Sequence, residues 1–241
     1  MTDDGIGNTV WVVDCPETSE KLRTLFDSVE SLYIADGHHR CASAVKVGQK
    51  RREQNPSYTG QEEFNFFLAV AFPKNELAIM DYNRVMKDLN GLTAEEFIGK
   101  LGESFTVEEA KESEAYRPVC RHNFGMYLDK KWYSLTAKNG TFDESDPVGR
   151  LDVSILQNNC ITPIFGIDDP RTDKRIDFVG GIRGLKELER RCETDMRVAF
   201  SMYPTSLDEL MDIADAGKVM PPKSTWFEPK LLSGLFIHKL S

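Results

Sequence analysis

The segment Asp36-Gly37-His38-His39-Arg40 places two of the chain's four histidines side by side, between a glycine and an arginine, with a carboxylate just before them. The apolar run Leu32-Tyr33-Ile34-Ala35 ahead of it reads as a strand, and the stretch from about His38 to Glu53 reads as a helix. A strand that ends in a Gly turn and enters a helix presents free backbone N–H groups and a partial positive charge. That arrangement favours anions, phosphate above all. Arg40 adds a forked, charge-assisted contact, and the histidines add proton transfer near neutral pH or metal ligation. The plainer alternative is that Gly37 makes the turn, Asp36 caps the helix and the polar pair faces water.

Three other constellations could carry chemistry. Asp81-Tyr82-Asn83-Arg84 gathers polar and aromatic groups at the end of a predicted strand, where Arg84 could meet an anionic ligand or a structural carboxylate. Met220-Pro221-Pro222-Lys223-Ser224-Thr225-Trp226-Phe227 is stiffened by two prolines and offers a cation beside two hydroxyls. Such a loop suits phosphate or carboxylate capture, with the aromatics as anchors; it could equally be a plain connector. Gly180-Gly181-Ile182-Arg183-Gly184 joins a strand to a helix but has neither dinucleotide nor P-loop spacing, which leaves ordinary turn chemistry as the better reading. His122 and His238 stand alone, and Cys41 reads as a small buried helix residue.

The elements that must position these groups follow from periodicity. Strands are expected at Val10–Val13, Leu32–Ala35, Phe64–Phe72 and Leu77–Tyr82, the last two as a hairpin, and at Phe105–Val107. A further hairpin runs from Phe124–Leu128 through Asp129-Lys130-Lys131 to Trp132–Leu135. Helices are expected from Pro16 to about Val29 and from a capping box at Thr93 and Glu96. The last hundred residues alternate: helix Leu151–Asn158, strand Arg175–Val179, helix Leu185–Arg191, strand Met196–Met202, helix Leu207–Ala216 and a closing strand Leu235–Leu240. The expected fold class is α+β, with helices on a sheet that mixes parallel and antiparallel strands. The polar segment Asn139–Pro147 divides a region 1–145, holding the DGHHR turn, from a C-terminal region 146–241 on the same or an adjoining sheet.

With 241 residues the chain can bury a substantial core, and its net charge of −9 repels phosphate backbones, which disfavours general nucleic-acid binding. The basic clusters Lys50-Arg51-Arg52 and Arg190-Arg191 read as solvated helix faces. Five scattered cysteines without a C-x-x-C pair, and no signal peptide, point to a reduced cytoplasmic protein. No apolar run approaches the roughly 20 residues of a membrane span.

The strings YIADGHHRCASAV, DYNRV and MPPKSTWFEPKLLSGLF together resemble domain-of-unknown-function family 1015, whose members are longer than this chain and whose C-terminal portion it resembles. That family resembles the ParB/sulfiredoxin group, which binds nucleotide phosphates through a Gly-x-x-Arg turn at a helix start, and Gly37-His38-His39-Arg40 fits it. His38 stands where sulfiredoxins carry a nucleophilic cysteine, so the resemblance does not imply sulfinic acid reduction. Free-serine kinases of the same group use a carboxylate base ahead of the turn; upstream carboxylates here are Asp14, Glu17, Glu20 and Glu30. The resemblance implies a small-molecule phosphotransferase or nucleotide-hydrolysing enzyme. In it Gly37, His38, His39 and Arg40 hold nucleotide phosphates with Mg²⁺ bridging them, Asp36 serves as metal ligand or base, and His38 or His39 moves a proton. Arg84, Lys223 and Ser224 join the phosphate-binding set. The alternatives are a nucleotide-responsive regulatory module without catalysis, and a metal-dependent hydrolase using Asp36, His38 and His39. Adjacent histidines at a helix start point about 100° apart, which makes joint ligation of one ion awkward.

Overall fold

The computed structural model describes residues 5, 7–110 and 115–240. The chain divides into two compact units, Met1–His38 and His39–Ser241. The first carries helix α1 (Pro16–Asp27), with Pro16 in its first turn, where a missing N–H costs nothing. Arg23 braces α1 by pairing with Glu20 and with Asp27 one turn on.

Helix α2 (His38–Gln54) begins at the last residue of the first unit and otherwise belongs to the second, where Arg52 donates to Asn65 Oδ1 at 2.7 Å. The core lies further on. Strands β1 (Ala78–Met80), β2 (Tyr82–Met86), β3 (Phe105–Glu109), β4 (Asn123–Leu128), β5 (Lys131–Ala137), β6 (Ile176–Gly180), β7 (Val198–Ser201) and β8 (Trp226–Glu228) form two sheets. One is a six-stranded sheet of order β3-β5-β4-β7-β2-β6; the other pairs β1 with β8.

The large sheet buries both faces, and the period-2 alternation of strand side chains sorts them. Met86, Phe124, Met126, Leu128, Val198 and Phe200 point into one apolar cluster. That cluster includes Phe97 and Leu101 of helix α3 (Ala94–Ser104), residues of the 152–165 helical rod, and Ile213 of helix α7 (Leu207–Asp215). Val85, Tyr127, Val179 and Ala199 point the other way, onto Leu185 and Leu188 of helix α6 (Leu185–Thr194). The rod consists of α4 (Asp152–Leu156), a π-type turn Gln157–Ile161, and α5 (Thr162–Phe165).

The α+β class is as expected, but every strand pairing is antiparallel, so the parallel component suggested by α/β alternation is not found among the described residues. The capping box is present: Thr93 Oγ1 accepts from Glu96 N–H, and Glu96 Oε2 accepts from Thr93 N–H. The Phe124–Leu135 hairpin is present too, turning at Asp129 and Lys130, which take φ of 50° and 62°. Four expected strands are not formed: Val10–Val13, Leu32–Ala35 and Leu235–Leu240 are irregular, and Phe64–Phe72 begins in a 3-10 turn, Glu63–Asn65, and is irregular beyond it. Trp11 and Val12 are 81% and 82% exposed, and Phe66 and Phe67 are also exposed. Their composition is strand-like, but a strand needs a ladder partner as well as a propensity. The partner expected for Leu77–Tyr82 is likewise different: β1 pairs with β8, in the register Ile79 to Phe227.

Helix Leu151–Asn158 extends past its expected end to Phe165, through Pro163. Proline removes one intrahelical donor, and the π-type turn just before it shifts the bonding register, Thr162 N–H reaching Gln157 O. The six-stranded sheet takes strands from both sides of the Asn139–Pro147 segment. Among the described residues no helix is long and apolar enough to cross a membrane.

Candidate functional site

At the turn, Gly37 takes a φ of +86°, a conformation glycine adopts without strain, and delivers the chain into the 17 residues of α2. Asp36, His38, His39 and Arg40 are exposed, and the first turn of the helix contains no carboxylate.

Arg84 lies elsewhere, in the middle of the large sheet. It sits opposite Phe178 on β6 and Phe200 on β7, on the side of the larger apolar cluster. It is 4% exposed, and its guanidinium lies 5.6 Å from the Phe178 ring centre. Its hydrogen bonds go to two backbone carbonyls, Tyr82 O and, at 3.1 Å, Lys223 O. Burial pushes the guanidinium pKa down to about 10, so it stays charged at neutral pH.

The β1–β8 pairing brings the Pro221–Phe227 loop to this arginine. Trp226 packs edge-on against Tyr82 at 5.5 Å, and Phe227 is buried. Lys223 takes a left-handed φ of 57° and holds its ammonium 5.6 Å from the Tyr82 ring centre. Ser224 is buried, and its hydroxyl donates to Pro221 O at 2.6 Å. Two separate sequence motifs, DYNR and PPKS, thus meet in space.

A cavity of about 610 Å³ opens beside them. Arg84 and Phe178 form one wall and Pro221 and Pro222 another; the rod contributes Ser154, Gln157 and Asn158, and the loops 146–149 and 168–171 complete the lining. The π-type turn beginning at Gln157 is a geometry that recurs at functional sites. No sequence motif marked Ser154, Asn158 or the 168–171 loop, because each is an ordinary polar residue whose role depends on the distant strands that face it.

The Gly180–Gly184 turn is structural. Gly181 N–H donates to Asp81 O at 2.7 Å, and a Cβ on Gly181 would lie 2.3 Å from Asp81 Oδ1 and 2.9 Å from its backbone oxygen. Asp81 is itself fixed by Asn83 at 2.6 Å and Arg117 at 3.2 Å. Asp81 therefore crowds the backbone at Gly181 and explains why a glycine stands there. Gly181→Ala is expected to cost about 1–3 kcal/mol through overpacking, read as a lower melting temperature; an unchanged melt would mean the backbone shifts freely here.

A second polar cluster surrounds the start of the rod. Asp152 is 8% exposed, accepts from His122 N–H at 2.8 Å through Oδ1, and leaves Oδ2 buried without a partner. Burial pushes its carboxyl up to about 7; Glu209's charge adds to the push, while the His122 N–H and Arg121 oppose it. Glu209 caps α7 at Ser206 and pairs with Arg121 at 2.9 Å.

Residues 1–154 match the family described as "Protein of unknown function (DUF1015)". The chain belongs to this family. No curated protein matches it. Among solved structures, it is similar to a free serine kinase variant in complex with AMP, at 16% identity and a TM-score of 0.45, covering 90% of this chain and 81% of that one. A second variant of free serine kinase, in complex with ADP, gives 17% identity and a TM-score of 0.44 over 80% and 66% of the two chains. A conserved hypothetical protein from Pyrococcus furiosus gives 15% and 0.39 over 83% and 71%. At these identities and scores nothing of their ligands transfers to this member of the DUF1015 family.

Proposed function

We propose that this protein binds a phosphate-bearing nucleotide at the Gly37–Arg40 turn and uses it in small-molecule phosphoryl transfer. The observation that carries the reading is the left-handed Gly37 leading into a long helix whose first turn is His38-His39-Arg40, exposed and free of carboxylates. Helix N-termini favour anions, and an arginine in the first turn adds a forked donor. The Gly-x-x-Arg likeness to the ParB/sulfiredoxin group supports the same assignment. Phosphoryl transfer depends mainly on positioning and charge neutralisation, which such a turn provides. Mg²⁺ takes one or two carboxylates together with phosphate oxygens, and Asp36 supplies one carboxylate beside the turn, so the ion fits as a companion of the nucleotide. Among the described residues no three His, Cys, Asp or Glu side chains gather to hold a metal by themselves. His38 and His39 are the proton carriers in this reading.

Thermal-shift titration with ATP, ADP, CTP and orthophosphate, each with and without Mg²⁺, tests it. A nucleotide at about 100 times its dissociation constant adds roughly 2.7 kcal/mol to the folded state. Arg40→Ala is expected to abolish that shift while leaving the ligand-free melt in place; an identical shift in the variant would sink the assignment. Binding without consumption of the nucleotide in the presence of candidate acceptors would favour the regulatory module over the enzyme.

A further inference from the structure

We propose that the cavity beside Arg84 is a second ligand site, one that takes an oxyanion, phosphate or carboxylate, carried on a body with hydrogen-bond donors. It lies within the second unit and stands independently of the turn at Gly37–Arg40.

The argument begins with charge. A buried guanidinium normally faces a carboxylate, because an uncompensated charge away from water is costly. Arg84 makes no ion pair among the described residues: two backbone carbonyls and the face of Phe178 are its partners. Carbonyl oxygens orient the fork without neutralising it. An oxyanion in the cavity would supply the missing charge through the geometry arginine favours.

The carboxylates around the cavity do not fill that role. Asp169 is gripped by both arms of Arg171, at 2.9 and 2.8 Å, which helps hold it at about 2. Asp146 accepts from Lys218 at 2.7 Å. Asp168 makes no ion pair or hydrogen bond among the described residues, and it leaves an acceptor at the lining.

The second observation is Ser154. It is 7% exposed, lines the cavity, and its hydroxyl has no hydrogen-bond partner among the described residues. The hydroxyl is not among the buried unpartnered atoms, so it opens to the cavity, where an unpaired donor and acceptor at the wall offers a place for ligand or water. Asn158, one turn further along the rod, adds a free amide at the same wall. Arg84 then fixes the anionic end of the ligand, and Ser154, Asn158 and Asp168 take its hydroxyl or amino donors. About 610 Å³ is within the range of small-molecule sites.

Titration of the ¹⁵N-labelled full chain with orthophosphate and, separately, with acetate tests the site. Either ion is expected to move the amide resonances of residues 146–158 and 168–171; the stronger of the two tells a phosphate ester from a carboxylate. Arg84→Met is expected to weaken the response about tenfold or more, and Arg84→Lys by less. Should Arg84→Met fail to fold, the wild-type resonance map and the lysine variant decide. Shifts confined to residues 36–40 would overturn the cavity site while leaving the turn reading intact, and cavity resonances unmoved by both ions would overturn it outright. Shifts at the cavity together with a nucleotide response that survives Arg40→Ala would support this site and remove the other.

Discussion

Phe165→Ala is expected to lower the stability of the second unit by about 3–5 kcal/mol. Phe165 closes the rod, is 1% exposed, and meets Phe97 of α3 edge-to-face at 5.2 Å. The loss has two parts: the transfer free energy of an aromatic ring and the void left where α3 and the rod no longer touch. Aromatic pairs of this geometry add about 0.5–1.5 kcal/mol beyond their buried area. Against a total of roughly 5–15 kcal/mol for a typical domain, that is about a fifth of the whole or more. Phe67→Ala, half-exposed in an irregular segment, serves as the control and should change stability by about 0.5 kcal/mol at most. Urea denaturation followed by circular dichroism reads both. A loss under about 1 kcal/mol at Phe165 would mean the rod is not anchored through this ring pair. The same variant should weaken oxyanion binding in the cavity, because Ser154 and Asn158 sit on the rod that Phe165 holds down.

Local chemistry was legible in the residues, and partner choice was not. The Thr93 capping box, the Asp129-Lys130 hairpin and the amphipathic helices α6 and α7 follow from contacts within a few residues of each other. Strand pairing is a property of the whole chain. Nothing in Ala78–Met80 announces that it joins Trp226–Glu228, and nothing in Phe64–Phe72 announces that it lacks a ladder. The candidate site divides the same way. Arg84 and Lys223 stood out by residue type and the rigidity of their surroundings, and β1–β8 pairing brings them within hydrogen-bonding reach. Ser154, Asn158 and Asp168 acquire meaning only from the guanidinium across the cavity. The helix expected to end at Asn158 runs on through Pro163, because the π-type turn that accommodates the proline is invisible to a 3.6-residue period.

The pH dependence of Asp152→Asn is the second large effect. The folded carboxyl has been pushed from an ordinary 3.8 up to about 7, chiefly by burial. A raised folded-state value means the native protein holds a proton that the unfolded chain has released. The stability contributed by the protonated carboxyl is therefore fully present below about 3.8 and is lost as pH rises to about 7. At about 1.4 kcal/mol per pH unit across that interval, the loss is on the order of 4 kcal/mol. Asparagine keeps an acceptor for the His122 N–H and carries no charge to desolvate. The variant is thus expected to match wild type near pH 4 and to exceed it above pH 7 by a few kcal/mol, measured as paired urea titrations at both values. Arg121 and Glu209 face the same carboxyl and are already paired to each other, so the substitution leaves that ion pair in place. Equal stability of the two proteins at pH 8 would show that Asp152 ionises there without penalty, through a water or cation on Oδ2. The position matters for function because Asp152 opens the rod that continues into Ser154 and Asn158. A carboxyl that changes charge near neutral pH at that point couples the stability of the cavity wall to protonation.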